Sequence, residues 1–146
     1  MLDLILAILH HILVFGLVAM LMAERIMVRA PAIEVRRLAR LDGGFGAMAG
    51  LILIVGACRV FFGGKGWDFY AANPFFWAKV ATFLIIGLVS IIPTIRFLAW
   101  TRAAQADPSF QPGEADRRKV RAALGVEALL LVPLLAFAAA MARWPF

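Results

Sequence analysis

The chain has 146 residues, 64% of them apolar and 16% charged, with a mean hydropathy of +0.90. A water-soluble domain carries about 45–50% apolar and about 25% charged residues, so the composition excludes one and indicates a membrane protein. The formal net charge of +6 does not require nucleic acid, because the basic residues flank apolar runs, where they set topology.

A membrane span takes about 20 apolar residues. The length therefore accommodates an all-α integral membrane four-helix bundle, one transmembrane domain over residues 1–146. The first apolar run begins at Leu2 and reaches about residue 28, broken by Asp3, His10-His11 and Glu24-Arg25. A cleaved signal peptide would open on positive charge and end in small residues, so this run is expected to stay as a helix over about 2–28. A polar connection follows, rich in arginine and holding Pro31, with the second helix expected over 43–62. The next stretch mixes glycines with Trp67, Phe69 and Tyr70, as befits a connection in the headgroup zone. Asn73-Pro74 marks a helix start, since proline is tolerated in a first turn, and the third helix is expected over 75–100. Pro108, Pro112 and Gly113 mark the last connection before a fourth helix over 120–143, in which Pro133 introduces a kink.

Eleven basic residues (Arg25, Arg29, Arg36, Arg37, Arg40, Arg96, Arg102, Arg117, Arg118, Lys119 and Arg121) lie on the side of the first and third connections. Arg59, Lys65, Lys79 and Arg143 lie on the other. The positive-inside rule places both termini outside and the basic connections in the cytoplasm, in a multi-pass protein of a bacterial inner membrane.

Ionisable groups are costly in a bilayer and usually face the protein interior or water. On the first helix, positions 3, 7, 10, 14, 17, 21 and 24 form one stripe, which joins Asp3, His10 and Glu24. His11 is turned by about 100° from His10, so the two cannot ligate one metal in an unbroken helix. His10 lies about two turns into its helix from the outer side. Arg59 and Lys79 lie about one turn inside theirs, so the three depths roughly coincide. A cationic cluster containing an imidazole matches haem, which offers an iron and two propionates; a phospholipid headgroup or quinone oxygen could use the same residues. Arg59 and Lys79 snorkelling to headgroups is the plainer reading, but Lys79 shares a stripe with Phe83, Ile86, Ser90 and Pro93. A second group, Glu24, Arg25, Arg96 and Glu127, lies near the cytoplasmic side. A salt-bridge network is expected there, with a proton path through Glu24 or Glu127 as the alternative.

Gly46-Ala47-Met48-Ala49-Gly50 is a small-xxx-small pattern that permits close helix approach, at the centre of the bundle or in a dimer contact; its glycines could equally leave room for a flat cofactor. Met20, Met22 and Met48 are expected to pack rather than ligate. The single cysteine, Cys58, excludes an intrachain disulfide and a multi-cysteine metal centre.

Leu9-His10-His11, the Arg-Val-Phe-Phe-Gly run at 59–63, the Tyr-Ala-Ala-Asn-Pro-Phe-Phe-Trp-Ala-Lys run at 70–79, and Pro93 with Arg96-Phe97 resemble a bacterial family of predicted four-span membrane proteins of unknown function. More distantly, the layout is similar to the oxygen-independent protoporphyrinogen oxidase family and its copper-resistance-type relatives. That resemblance implies b-type haem held by a histidine of the first helix and a lysine opening the third, here His10 and Lys79. The expectation is a membrane protein with haem b in its outer half, possible as an oxidoreductase, electron carrier or porphyrin handler. His10 would be the metal ligand, and His10, His11, Arg59 and Lys79 the cofactor-binding residues. A cofactor-free accessory subunit or assembly factor, and a small proton or metal-ion transporter, are the competing expectations. The lipid bilayer is the expected partner, with a homodimer or larger membrane complex and no nucleic acid.

Overall fold

The computed structural model describes residues 1–145. Five helices follow one another among them: α1 (Leu2–Met27), α2 (Val35–Phe62), the short α3 (Gly66–Ala72), α4 (Pro74–Ala106) and α5 (Glu114–Arg143). The four long helices are each apolar and long enough to cross a membrane. At 1.5 Å per residue, even the 26-residue α1 exceeds the ~30 Å hydrocarbon layer.

α1 packs on α2, α2 on α4, α4 on α5 and α5 back on α1, while α3 covers one end against α2 and α4. The enclosed core takes Leu13, Leu17 and Leu21 from α1, Leu38, Phe45 and Ile52 from α2, Ile86, Phe97 and Trp100 from α4, and Val120, Leu124 and Leu131 from α5. The outer surface is just as apolar: Phe15, Ile54, Leu88 and Leu129 are 72%, 61%, 66% and 70% exposed. In water such a belt would drive aggregation; in a bilayer it is the lipid-contact surface. Since lipid tails are as apolar as the core, helix association rests on close packing and interhelical hydrogen bonds.

Three boundaries differ from the sequence reading. α2 starts at Val35 rather than 43, because Val35, Leu38, Asp42 and Phe45 continue the buried stripe at three-to-four-residue spacing. Arg36, Arg37 and Arg40 between them are exposed and are good helix formers. α4 runs on to Ala106, and α5 starts at Glu114 with Glu114 and Asp116 in its first turn, where acidic side chains complement the helix dipole. The aromatic connection contains α3, which was not expected; it buries Tyr70.

The small-residue pattern also falls elsewhere than expected. A Cβ at Gly46 or Gly50 would meet nothing within 4 Å, whereas one at Gly16 would stand 3.1 Å from Met48 Cε and one at Gly44 3.0 Å from Met20 Cε. Close approach of α1 and α2 is thus made by methionines lying over single glycines, the packing role expected of Met20 and Met48.

Both ends are tied by side chains. At the end carrying the basic connections, Gln111 Oε1 accepts from Ile33 N at 2.9 Å, and Arg117 donates to the carbonyls of Val28 and Ala30 beyond the end of α1. At the opposite end, Asn73 Oδ1 accepts from Phe75 N at 3.0 Å, capping α4, while Asn73 Nδ2 donates to the Met141 carbonyl of α5 at 3.1 Å.

Candidate functional site

A cavity of about 260 Å³ opens near the end of the helices that carries α3. His10 reaches it from the buried stripe of α1, Arg59 from the last turn of α2 and Lys79 from the second turn of α4. Gly56, Val60, Phe76 and Phe83 supply apolar wall, and Leu53, Phe61 and Trp67 stand at more exposed positions of its lining. Tyr70 of α3 and Met141 of α5 complete it. Sequence reasoning missed Tyr70 as a site residue. The signal available was that this is the only tyrosine in the chain, placed among residues expected to lie in a connection.

The site is basic. Lys79 and Arg59 both lie within electrostatic reach of His10, and Arg59 within reach of Lys79. No ion pair among the described residues engages Arg59 or Lys79. Arg59 Nε and His10 Nδ1 are buried without a hydrogen-bond partner among the described residues. Like charges this enclosed repel one another more strongly than in water, and a ligand with negative charge would relieve them. Asp3 shares a smaller neighbouring cavity with Arg59, Lys65 and Tyr70.

His11 does not join the site. It is exposed, its Nδ1 is hydrogen-bonded to the Ala7 carbonyl at 2.6 Å, and its ring stands at 86° to that of His10 with centroids 6.4 Å apart. The 100° turn between adjacent helical positions separates them. Among the described residues no group of three or more His, Cys, Asp or Glu side chains is placed to hold a metal ion. Trp77 is also turned outward, its indole donating to the Ala71 carbonyl at 3.0 Å.

The second predicted group is arranged differently from the salt-bridge network expected of it. Glu24 and Glu127 are both 0% exposed, and none of their four carboxylate oxygens has a partner among the described residues. Arg25 instead donates to the Leu124 carbonyl at 3.2 Å, and Arg96 pairs with Asp116 at 3.3 Å. Being one position beyond Glu24, Arg25 is rotated off the buried stripe. The residue that joins the two glutamates is Asp42, which acts electrostatically on both. Sequence reasoning placed Asp42 in a connection; its three-to-four spacing with Leu38 and Phe45 was the signal for a buried helical position.

Long apolar helices with a lipid-contact exterior and ionisable side chains turned inward define an integral membrane protein. The chain belongs to the family described as predicted membrane protein (DUF2214), which matches it over residues 2–144. That family has no assigned function, and the match lends no support to kinship with protoporphyrinogen oxidase or copper-resistance proteins. No curated protein and no solved structure matches the chain.

Proposed function

We propose that the protein binds an apolar ligand with an acidic head in this cavity, and that haem b is the specific group its donors match. The observation that carries the reading is the meeting of His10, Arg59 and Lys79 in one apolar cavity, with no carboxylate paired to either cation. Arg59 and Lys79 would each hold one acidic group of the ligand, and the apolar wall would exclude water from those contacts and strengthen them. The volume is slightly below the ~300–1,000 Å³ of enclosed ligand sites, so the ligand's body would extend beside Leu53, Phe61 and Trp67 into the lipid.

For haem, His10 would be the imidazole ligand and the two cations would take the propionates; haem so held supplies one-electron chemistry or is cargo to be handed on. With His11 turned away, any further donor to the iron would have to be Lys79 in place of its propionate contact, Met141, water or another copy of the chain. Acidic phospholipid shares the head-group chemistry without needing iron, quinone would offer neutral carbonyl oxygens to the same donors, and the modest volume favours these two as the second reading. The excess of basic residues at the opposite end supports an outer-half location for the cavity and both termini outside, in a bacterial inner membrane.

The test is an absorption spectrum with pyridine haemochrome on protein purified from haem-sufficient cells, together with lipid and quinone extraction. A stoichiometric Soret band lost in His10→Ala and kept in His11→Ala supports haem. An acidic lipid or quinone that copurifies with wild type and is lost in Arg59→Gln supports the second reading. If neither copurifies, or if retention is the same in all variants, the cavity is not a ligand site.

A further inference from the structure

Away from the cavity, Thr94 of α4 meets Asp42 of α2 at 3.0 Å, and Glu24 of α1 and Glu127 of α5 are both under the electrostatic influence of Asp42. Glu24 and Glu127 are 0% exposed and Asp42 is 6% exposed. Glu24 lies within electrostatic reach of Asp42 and Glu127, and Asp42 also acts on Glu127. The neighbouring cations are engaged elsewhere: Arg25 with the Leu124 carbonyl, Arg96 with Asp116, Arg117 with the carbonyls after α1, and Arg121 with Glu114. All four oxygens of Glu24 and Glu127 are enclosed with no donor among the described residues. A carboxylate ion is not sustained in such surroundings; it binds a cation or takes up a proton.

Thr94 brings the fourth long helix to Asp42. Thr94 Oγ1 lies 2.9 Å from the Ser90 carbonyl oxygen and 3.0 Å from Asp42 Oδ1. The hydroxyl has one hydrogen to give. Directed at Asp42 it donates to that carboxyl, and directed at the Ser90 carbonyl, the usual bond of a threonine within a helix, it leaves the contact with Asp42 to be bridged by a hydrogen on the carboxyl, so Thr94 accommodates Asp42 in either state. A metal ion is disfavoured, because no three acidic side chains among the described residues converge closely enough to hold one.

We propose that Glu24, Asp42 and Glu127 form a proton-binding site shared, with Thr94, by the four long helices, so that their carboxyls are carried as acids in the assembled protein. Exchange of these protons then accompanies any opening of the helices that admits water. The site makes no use of the outer cavity, so it stands or falls separately from the ligand reading.

Infrared difference spectroscopy at neutral pH, in light and heavy water, on the full chain in lipid nanodiscs tests this. The wild-type protein is expected to show a carbonyl stretch of enclosed carboxylic acid that shifts on deuteration. A component of it should be lost in each of Glu24→Gln, Asp42→Asn and Glu127→Gln, and addition of sodium, potassium or magnesium chloride at fixed pH should leave it unchanged. Absence of the band in wild type overturns the proposal, and needs no variant to fold. So does a band identical in all three variants. A band abolished by one of the salts at constant pH reassigns the site to a metal cation and equally overturns it.

Discussion

The ring of His10 packs against Gly56: a Cβ at that glycine would stand 3.5 Å from the imidazole Cε1, an ordinary contact distance. The glycine thus keeps one wall of the cavity low beside the only histidine among the described residues that reaches it. Gly56→Ala should be accommodated, with ligand retention within about twofold of wild type, whereas Gly56→Leu should fill the space and reduce retention about tenfold or more, a change of about 1.4 kcal/mol or greater. Ligand content per purified chain measures both. Equal retention in the alanine and leucine variants would show that the ligand does not occupy the space by His10.

Arg59 and Lys79 approach the same cavity from α2 and α4. Charge-assisted hydrogen bonds contribute about 1.5–3 kcal/mol each, so Arg59→Gln and Lys79→Met should each weaken ligand binding roughly 10-fold to 100-fold by titration of the extracted protein. Relief of their mutual repulsion should at the same time leave the ligand-free protein no less stable. A Lys79→Met variant that binds as tightly as wild type would mean that Lys79 only reaches for the headgroups.

Asn73 is fully buried and serves two helices at once, capping α4 with its oxygen and holding Met141 of α5 with its nitrogen. Asn73→Ala should cost about 2–4 kcal/mol, combining loss of the cap, about 1 kcal/mol, with a part-buried carbonyl left unpaired, about 1–3 kcal/mol. Asn73→Asp keeps the acceptor and removes the donor, and should remain destabilised. Thermal unfolding in one detergent compares the three. Full recovery in the aspartate variant would show that the link to α5 contributes nothing.

Orientation can be read with a membrane-impermeant thiol reagent on intact cells, in a Cys58→Ser background. Gly64→Cys, in the connection before α3, should label from outside, while Ser109→Cys, in the connection before α5, should label only after the membrane is opened. The reverse pattern would invert the assignment made from the basic residues.

Much of the fold was legible because a bilayer requires every spanning backbone to be helical, which makes apolar run length a direct signal. The buried stripe on α1 through His10, Leu17, Leu21 and Glu24 was readable from spacing alone, as was the start of α4 at Asn73-Pro74. Helix boundaries beyond the apolar runs were less so. The early start of α2 is set by four inward residues interleaved with arginines, and a boundary drawn on hydropathy stops at the arginines.

The sequence by itself determined that this is an all-helical membrane protein with four candidate spans, and that His10 and His11 face apart, since both follow from helical period and the cost of exposed backbone in lipid. Tertiary structure alone decided which ionisable groups meet. Depth along a helix can be counted, but rotation about its axis relative to three neighbours depends on packing. That rotation gathers His10, Arg59 and Lys79 around a cavity, and it turns Arg25 and Arg96 away from Glu24 and Glu127. The cations expected to neutralise these acids are engaged elsewhere, and the group that acts electrostatically on both is Asp42, a third carboxyl.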